Sequence, residues 1–300
     1  MKLSKYVPGA RRARLAASSV TALVALFSAG LLVALVSGAQ AAATSVPLGT
    51  ADSFVVLAGA GITNTGPTTL NGDLGTFPTT SISGTGTLTV AGANHAGDTV
   101  TQGAKTDLVT AYNTAAGEGP TSPISGDLTG KTLKQGVYNS SSSVGLTGAL
   151  TLDGAGNPDS VFVFQAGSTL TTGSGSRVNL INGANPCNVI WQVGTSTTLG
   201  TGSRFVGTVL STTSITATTG ATVSGRLLAR NGAVTLDTNT ITKPRCAVPQ
   251  VTQVPKGAVS TGDGSTSGGG NTPALLAGVL VFAGLGGAAV FATRRRRLNS

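Results

Sequence analysis

The chain has 300 residues, of which 10% are charged and 4% aromatic, with 44 glycines and a formal net charge of +9. That charge belongs to the ends: Lys2, Lys5, Arg11, Arg12 and Arg14 crowd one terminus and Arg294 to Arg297 the other, and without them the remaining basic residues balance the 10 acids. A neutral body with few aromatic side chains offers neither the basic patch nor the stacking platforms that nucleic acid needs, so nucleic acid is excluded as a partner.

Residues 1–41 read as a secretory signal peptide. Basic Lys2 to Arg14 precede an apolar run from Leu15 to Val36, and Ala39 and Ala41 form a small-x-small cleavage site. The apolar run is longer than the usual signal core, which leaves an uncleaved anchor as the other reading.

From 44 to 247 the chain consists mostly of short runs rich in Val, Leu, Ile, Phe and Thr, broken by Gly, Asn-Gly and Ser-Gly. This is the pattern of strands joined by tight turns. One segment, 98–116, differs: Val100, Ala104, Leu108, Ala111 and Ala115 recur at helical spacing, and Asp98 stands where an N-cap belongs. The spacing predicts one amphipathic helix with its apolar side against a β body. The segments Leu70-Asn-Gly-Asp-Leu74 and Ile124-Ser-Gly-Asp-Leu128 echo one another across this helix and suggest that the β pattern resumes after it.

Beyond the helix a pattern of threonine, serine and glycine threaded with aliphatics recurs as Ser168–Thr172, Thr197–Thr201, Ser214–Thr218 and Ala233–Asp237. In each, the aliphatic (Leu170, Leu199, Ile215, Val234) is flanked by small or hydroxyl residues, so two-residue alternation buries the one and exposes the others. The landmarks Leu146, Leu170, Leu199, Ile215 and Val234 are separated by 24, 29, 16 and 19 residues, intervals that suit coils of an irregular β-solenoid better than hairpins. Runs such as 161–164, 189–193, 206–210 and 226–229 would form a second, more buried face. Outward positions on this reading are Thr147, Thr169, Thr171, Thr198, Ser214, Thr216 and Thr235.

Cys187 and Cys246 are the only cysteines. In an exported body an even pair favours a disulfide fastening the end of the domain to an earlier coil, with two buried thiols as the alternative. No metal site is expected, because His95 is the sole histidine and the cysteines lack ligand spacing.

Residues 248–272 carry Pro249, Pro255 and a Gly/Ser-rich run and read as a flexible linker. An unbroken apolar and glycine stretch from Ala274 to Ala292 follows, placing a transmembrane helix at 273–293, and 294–300 form a basic tail. The arginines hold that tail in the cytoplasm and leave the body outside, at the extracellular face of the membrane or in the cell wall. Ala258-Val-Ser-Thr-Gly262 loosely resembles the Leu-Pro-x-Thr-Gly sorting signal of Gram-positive wall proteins but lacks the leading Leu-Pro. Sortase processing near Thr261 and simple retention in the membrane both stay open.

The body resembles the microbial ice-binding (antifreeze) family. The resemblance rests on Leu48–Ala58, Thr63–Pro67, Asn71–Leu74, Thr147–Asp153, Val161–Gln165, Val189–Gly194 and Ala229–Asp237, and it covers nearly all of 48–242. It implies a mainly β fold: a discontinuous, right-handed, three-faced β-solenoid with one long helix packed alongside, and a flat face adsorbed to an ice crystal. Some members carry Thr-Ala/Gly-x-Thr/Asn motifs. Here Thr216-Ala-Thr-Thr219 and Thr219-Gly-Ala-Thr222 fit, whereas Thr172-Gly-Ser-Gly175 and Thr201-Gly-Ser-Arg204 fit only in their first half, with Arg204 close to the expected surface. The resemblance therefore adds Thr201, Thr219 and Thr222 to the ice-binding candidates.

Catalytic patterns are absent. There is no Gly-x-Ser-x-Gly, no His-Glu-x-x-His, and a single glutamate, Glu118. Asp73 and Asp127 fit turn-type backbone bonding better than paired acid and base roles. No enzyme activity and no cofactor are expected. The chain reads as a cell-surface ice-binding protein; the rival is a surface adhesin or structural protein that uses the same fold to bind a glycan or another cell.

Overall fold

The computed structural model describes residues 43–119 and 122–246. The signal segment, linker, apolar C-terminal stretch, sorting-like segment and basic tail lie outside the described residues. Among the described residues no helix is long and apolar enough to cross a membrane.

Every strand pairing is parallel, and the ladders form three faces. Face A runs through Asn94–Ala96, Asp73–Thr76, Phe54–Ala58, the second halves of Thr222–Ala229 and Arg204–Ser211, then Val189–Val193, Phe162–Ala166, Gly136–Ser140 and Ser122–Pro123. Face B is a separate eight-stranded sheet: Ile82–Ser83, Ile62–Thr65, Val234–Asp237, Ile215–Ala217, Thr197–Leu199, Leu170–Thr172, Val144–Leu146 and Gly126–Asp127. Face C takes Leu88–Val90, Thr68–Asn71, Thr240–Thr242, the first halves of the two eight-residue strands, and then Arg177–Ile181, Ala149–Asp153 and Thr132–Lys134.

The stacking is not sequential. The N-terminal strands lie on the last coil: Val56 pairs with Leu227, Thr63 with Thr235 and Leu70 with Ile241. After Ala96 the chain has reached one end of the stack, and helix α1 (Thr99–Gly117) takes it to Ser122–Pro123 at the other. Nineteen helical residues rise about 28 Å, which covers most of the roughly 38 Å spanned by the eight inter-strand steps of face A.

Helix α1 begins and ends one residue later than its spacing predicts. The Asp98 carboxylate accepts from the Thr101 N–H at 2.8 Å, an N-cap. At the other end Gln165 Nε2, reaching from face A, donates to the Ala115 carbonyl at 2.8 Å and to the Glu118 carbonyl at 3.0 Å. Ala104, Leu108, Ala111 and Ala115 are buried as expected; Val100 is not, being 47% exposed while Thr101 takes the inward place.

Inside the solenoid the landmark aliphatics occupy two inward columns. Val144, Leu170, Thr197, Ile215, Val234 and Ile62 share one register; Leu146, Thr172, Leu199, Ala217, Leu236 and Asn64 share the next. Leu146 and Leu199 therefore do not align with Leu170, as their spacing had suggested. An internal aromatic stack crosses the coils, with centroids 5.4 Å apart for Tyr138–Phe164, 4.0 Å for Phe164–Trp191 and 5.1 Å for Trp191–Phe205. The runs read as a more buried face form face A, whose strands at 162–166 and 189–193 are buried at every position. The coils do resume after the helix, but the two echoing Gly-Asp-Leu segments on either side of it are not equivalent: Asp73 lies on face A and Asp127 on face B.

Cys187 and Cys246 form a disulfide, with Cα atoms 5.6 Å apart, which excludes the alternative of free thiols. It ties the segment after Thr240–Thr242 to the connection between Arg177–Ile181 and Val189–Val193.

Candidate functional site

On face B each strand offers one central outward position, and parallel register sets these positions in a line. The line reads Asp127, Gly145, Thr171, Thr198, Thr216, Thr235, Thr63 and Ser83. Five consecutive threonines thus stand about 4.8 Å apart, each on its own coil. Thr63 and Thr171 are exposed and Thr198, Thr216 and Thr235 half-exposed.

The hydroxyls of these five threonines make no hydrogen bond to protein among the described residues. Their lone pairs and protons are left to water. Their χ1 stiffness as β-branched side chains fixes where those groups point.

A second line runs beside it, about 6.7 Å away along the strands: Ser143, Thr169, Ser196, Ser214, Ala233, Gly61 and Ser81, joined by main-chain bonds such as Thr197 N to the Ser214 carbonyl at 2.9 Å. Here hydroxyls are partly used up within the protein; Thr169 Oγ1 donates to Ser143 Oγ at 2.8 Å and Ser196 Oγ accepts from the Ser214 N–H at 3.3 Å. On the other flank Thr218 Oγ1 donates to the Leu199 carbonyl at 2.8 Å. Asp237 lies on this flank, opposite Thr65.

The structure brings Thr171, Thr198, Thr216 and Thr235 into the central line and Thr169 and Ser214 into the neighbouring one. Thr147 sits on the far flank, where its hydroxyl bonds the Asp127 carboxylate and lies 3.1 Å from Thr129 Oγ1. Thr201 and Thr219 lie in the turns leaving face B, with Thr201 Oγ1 3.3 Å from Thr218 Oγ1 and Thr219 Oγ1 donating to Asp237 at 2.5 Å. Thr222 does not belong with them: its strand has turned onto face C, where it pairs with Arg204. Arg204 is accordingly removed from face B, and the half-matching motif there places no charge on it. Thr63 and Ser83 escape sequence reasoning because their coils precede the helix, although Ile62-Thr63 repeats the Val234-Thr235 pattern.

Charge enters the central line only at its far end. Desolvation opposes ionisation of Asp127, but the hydroxyls of Thr129 and Thr147 and their backbone N–H groups donate to its carboxylate and hold its pKa at about 2. Neighbouring Gly145 leaves a gap, so the continuous hydroxyl surface begins at Thr171.

Flatness depends on the corner between faces A and B. A Cβ on Gly194 would lie 2.3 Å from the Gly167 carbonyl oxygen, and one on Gly232 would lie 2.5 Å from Thr213. Glycine lets these backbones touch, so no bulge lifts one coil above the next. Among the described residues no group of three or more His, Cys, Asp or Glu side chains is placed to hold a metal.

Residues 56–242 match the family described as ice-binding-like. The chain belongs to this family. Among its ice-binding-like relatives, an ice-binding protein of Nostoc sp. (strain HG1) is 49% identical over 214 residues, covering 71% of this chain and 79% of the relative. The crystal structure of an ice binding protein from an Antarctic biological consortium is 46% identical and superposes with a TM-score of 0.67 over 67% of this chain and 92% of that one. That of the ice-binding protein from the Antarctic ascomycete Antarctomyces psychrotrophicus is 44% identical, with a TM-score of 0.66 over 68% of this chain and 100% of its own.

Proposed function

We propose that this protein adsorbs to ice through face B and so restrains ice growth or recrystallisation, or holds the cell to ice. The observation that carries the reading is the line from Thr171 to Thr63: register-aligned, uncharged, and with every hydroxyl uncommitted. An ice plane repeats in two directions, and a receptor for it needs groups that repeat likewise. The lines on face B supply one spacing between coils and another along the strands. Threonine suits the task because its hydroxyl bonds ordered water while its methyl discourages a disordered shell. A glycan receptor calls for exposed aromatic platforms, whereas Tyr138, Phe164, Trp191 and Phe205 stack inside the coils. The family relatives, each named for ice binding, support the same choice.

In this reading the coils wind right-handed, as the family resemblance implies, and the protein performs no catalysis. The signal-like N-terminus and the apolar stretch followed by Arg294 to Arg297 make it an exported protein held at the extracellular face, by membrane retention or by sortase transfer near Thr261. The test is ice recrystallisation inhibition and adsorption by the mature protein, compared with Thr171→Tyr and Thr216→Tyr. Adsorption by the unaltered protein and its loss in both variants is expected. Full activity in both would assign the function to another surface.

A further inference from the structure

Face C carries a group of charges that face B does not share. Arg177 and Arg204 are register partners on neighbouring coils, both pointing outward and exposed, and neither has an ion pair among the described residues. Parallel pairing sets them about 4.8 Å apart. Like charges directly opposite one another in a sheet cost stability, and the next coils fill the same position with Thr222, Thr240 and Thr69. The fold therefore does not call for two arginines here.

Their surroundings point to a phosphate-bearing partner. Lys131 is exposed where the chain enters face C, and exposed Lys134 is opposed by its register partner Asp153. The patch thus sets four cations, Lys131, Lys134, Arg177 and Arg204, against one carboxylate. Ile181 points outward from the same strand as Arg177 and is 40% exposed, whereas the other exposed large hydrophobics among the described residues, Val100 and Val109, lie on helix α1. Arginines bind phosphate oxygens with paired N–H donors, and an aliphatic side chain beside them can sink between lipid headgroups.

The patch also lies close to where the chain leaves the body. The disulfide fixes Cys246 at the corner between faces C and A, which is opposite face B in a three-faced section. On the reading of residues 248–272 as a Gly/Ser-rich linker, their mean reach is roughly 28 Å. A bilayer held that near stands at a millimolar effective concentration. Contacts too weak to bind from dilute solution are then sufficient.

We infer that the charged half of face C docks on the anionic phospholipid headgroups of the bilayer that holds the apolar C-terminal stretch. The inference rests on the membrane-retention reading given above. In this pose face B points away from the membrane, toward what the cell meets outside.

The experiment reconstitutes the full mature chain into vesicles of phosphatidylcholine alone and of an equal mixture of phosphatidylcholine and phosphatidylglycerol, each with dansyl-labelled headgroups. Energy transfer from Trp191, the only tryptophan, reports how close the body comes to the lipid. At low salt, transfer should be roughly twofold higher in the anionic vesicles, and the excess should vanish at about 0.5 M salt. Arg177→Gln with Arg204→Gln should lose most of that excess, since each arginine at an anionic surface strengthens binding roughly fivefold. Arg177→Lys with Arg204→Lys keeps the charge and should keep the excess. In solution the Gln double variant should adsorb to ice as the unaltered protein does; loss of that adsorption in a folded sample would place the arginines in the ice surface and overturn the assignment. Equal transfer in the two lipids, with the chain retained in the vesicles after alkaline carbonate extraction, overturns the inference alone. An undiminished excess in the Gln double variant also overturns it, by moving the contact to another surface. Release of the chain from both vesicle types by carbonate removes the membrane-retention reading, and the inference with it.

Discussion

Faces A and B are made by the same coils, yet their outward residues differ in kind. On face A, Phe54, Leu57, Val137, Val163, Ile190, Leu210 and Leu228 point out of the solenoid and are buried against Ala104, Leu108, Ala111 and Ala115 of helix α1. On face B the equivalent positions are threonines left to water. The inward columns of aliphatic and aromatic side chains hold both faces in place, so the outward positions are free to specify what each face touches. One meets a helix of the same chain and the other, in our reading, a crystal.

This separation of roles can be broken from the side of stability. The disulfide bridges a sequence separation of 59 residues, and closing a loop of that size stabilises by about 4 kcal/mol in the chain-entropy account. Replacing Cys187 and Cys246 by Ser together should lower the unfolding temperature more than any single substitution on face A or face B, as read by calorimetry. Ice adsorption measured well below that temperature should be unchanged; its loss in a folded sample would show that face B needs the strap. Leu108→Ala comes next. It opens a cavity between the helix and face A at a site with no exposure, at an expected cost of about 3 kcal/mol. Denaturant unfolding measures that cost, and the folded fraction should still adsorb.

The converse change leaves stability alone. Thr198→Tyr stands at the middle of the central line and replaces a half-exposed strand residue by another good strand former. Adsorption should fall tenfold or more, equivalent to about 1.4 kcal/mol, while unfolding free energy shifts by no more than about 0.5 kcal/mol. A large loss of stability with adsorption intact would erase the distinction between the faces.

How much of this was legible in the sequence follows the same division. The helix, its Asp98 cap and the buried runs of face A announce themselves, because a 3.6-residue period and continuous apolar segments are local signals. Alternation likewise exposes Thr171, Thr198, Thr216 and Thr235. What it cannot supply is register between coils. Each coil of face B has two inward positions, so Leu199 looked equivalent to Leu170 although Thr197 fills that slot; its buried hydroxyl lies 2.8 Å from Ser211 Oγ. Thr222 was misplaced for a related reason: two residues after Gly220 the chain has already turned the corner, and nothing in a Thr-x-x-Thr spacing reveals a corner. Thr63 and Ser83 were missed because Thr63 stacks on Thr235, far along the chain, and Ser83 in turn stacks on Thr63, an arrangement that only the discontinuous stacking explains.

The smallest expected effect concerns pH, and it tests the same contrast. Hydrogen bonds from the Thr101 hydroxyl and N–H, then pairing with His95 2.6 Å away, hold the Asp98 carboxylate at a pKa of about 2, below the usual range; Asp127 is also held at about 2. A folded-state value below the unfolded value of about 3.9 means that the stabilisation is fully present above about pH 4 and is lost as pH falls toward 2. The unfolding temperature should therefore drop on acidification through that window. Asp98→Ala should lower it slightly at neutral pH, by loss of the helix cap, and make the acid limb shallower. Adsorption should show no such limb, because the line from Thr171 to Ser83 contains no titratable side chain. Between about pH 4 and pH 8 the folded protein should bind ice equally well, since none of the groups with depressed carboxyl values titrates there. A titration of adsorption inside that interval, with the fold intact, would mean that a charged group outside the central line takes part in holding the crystal.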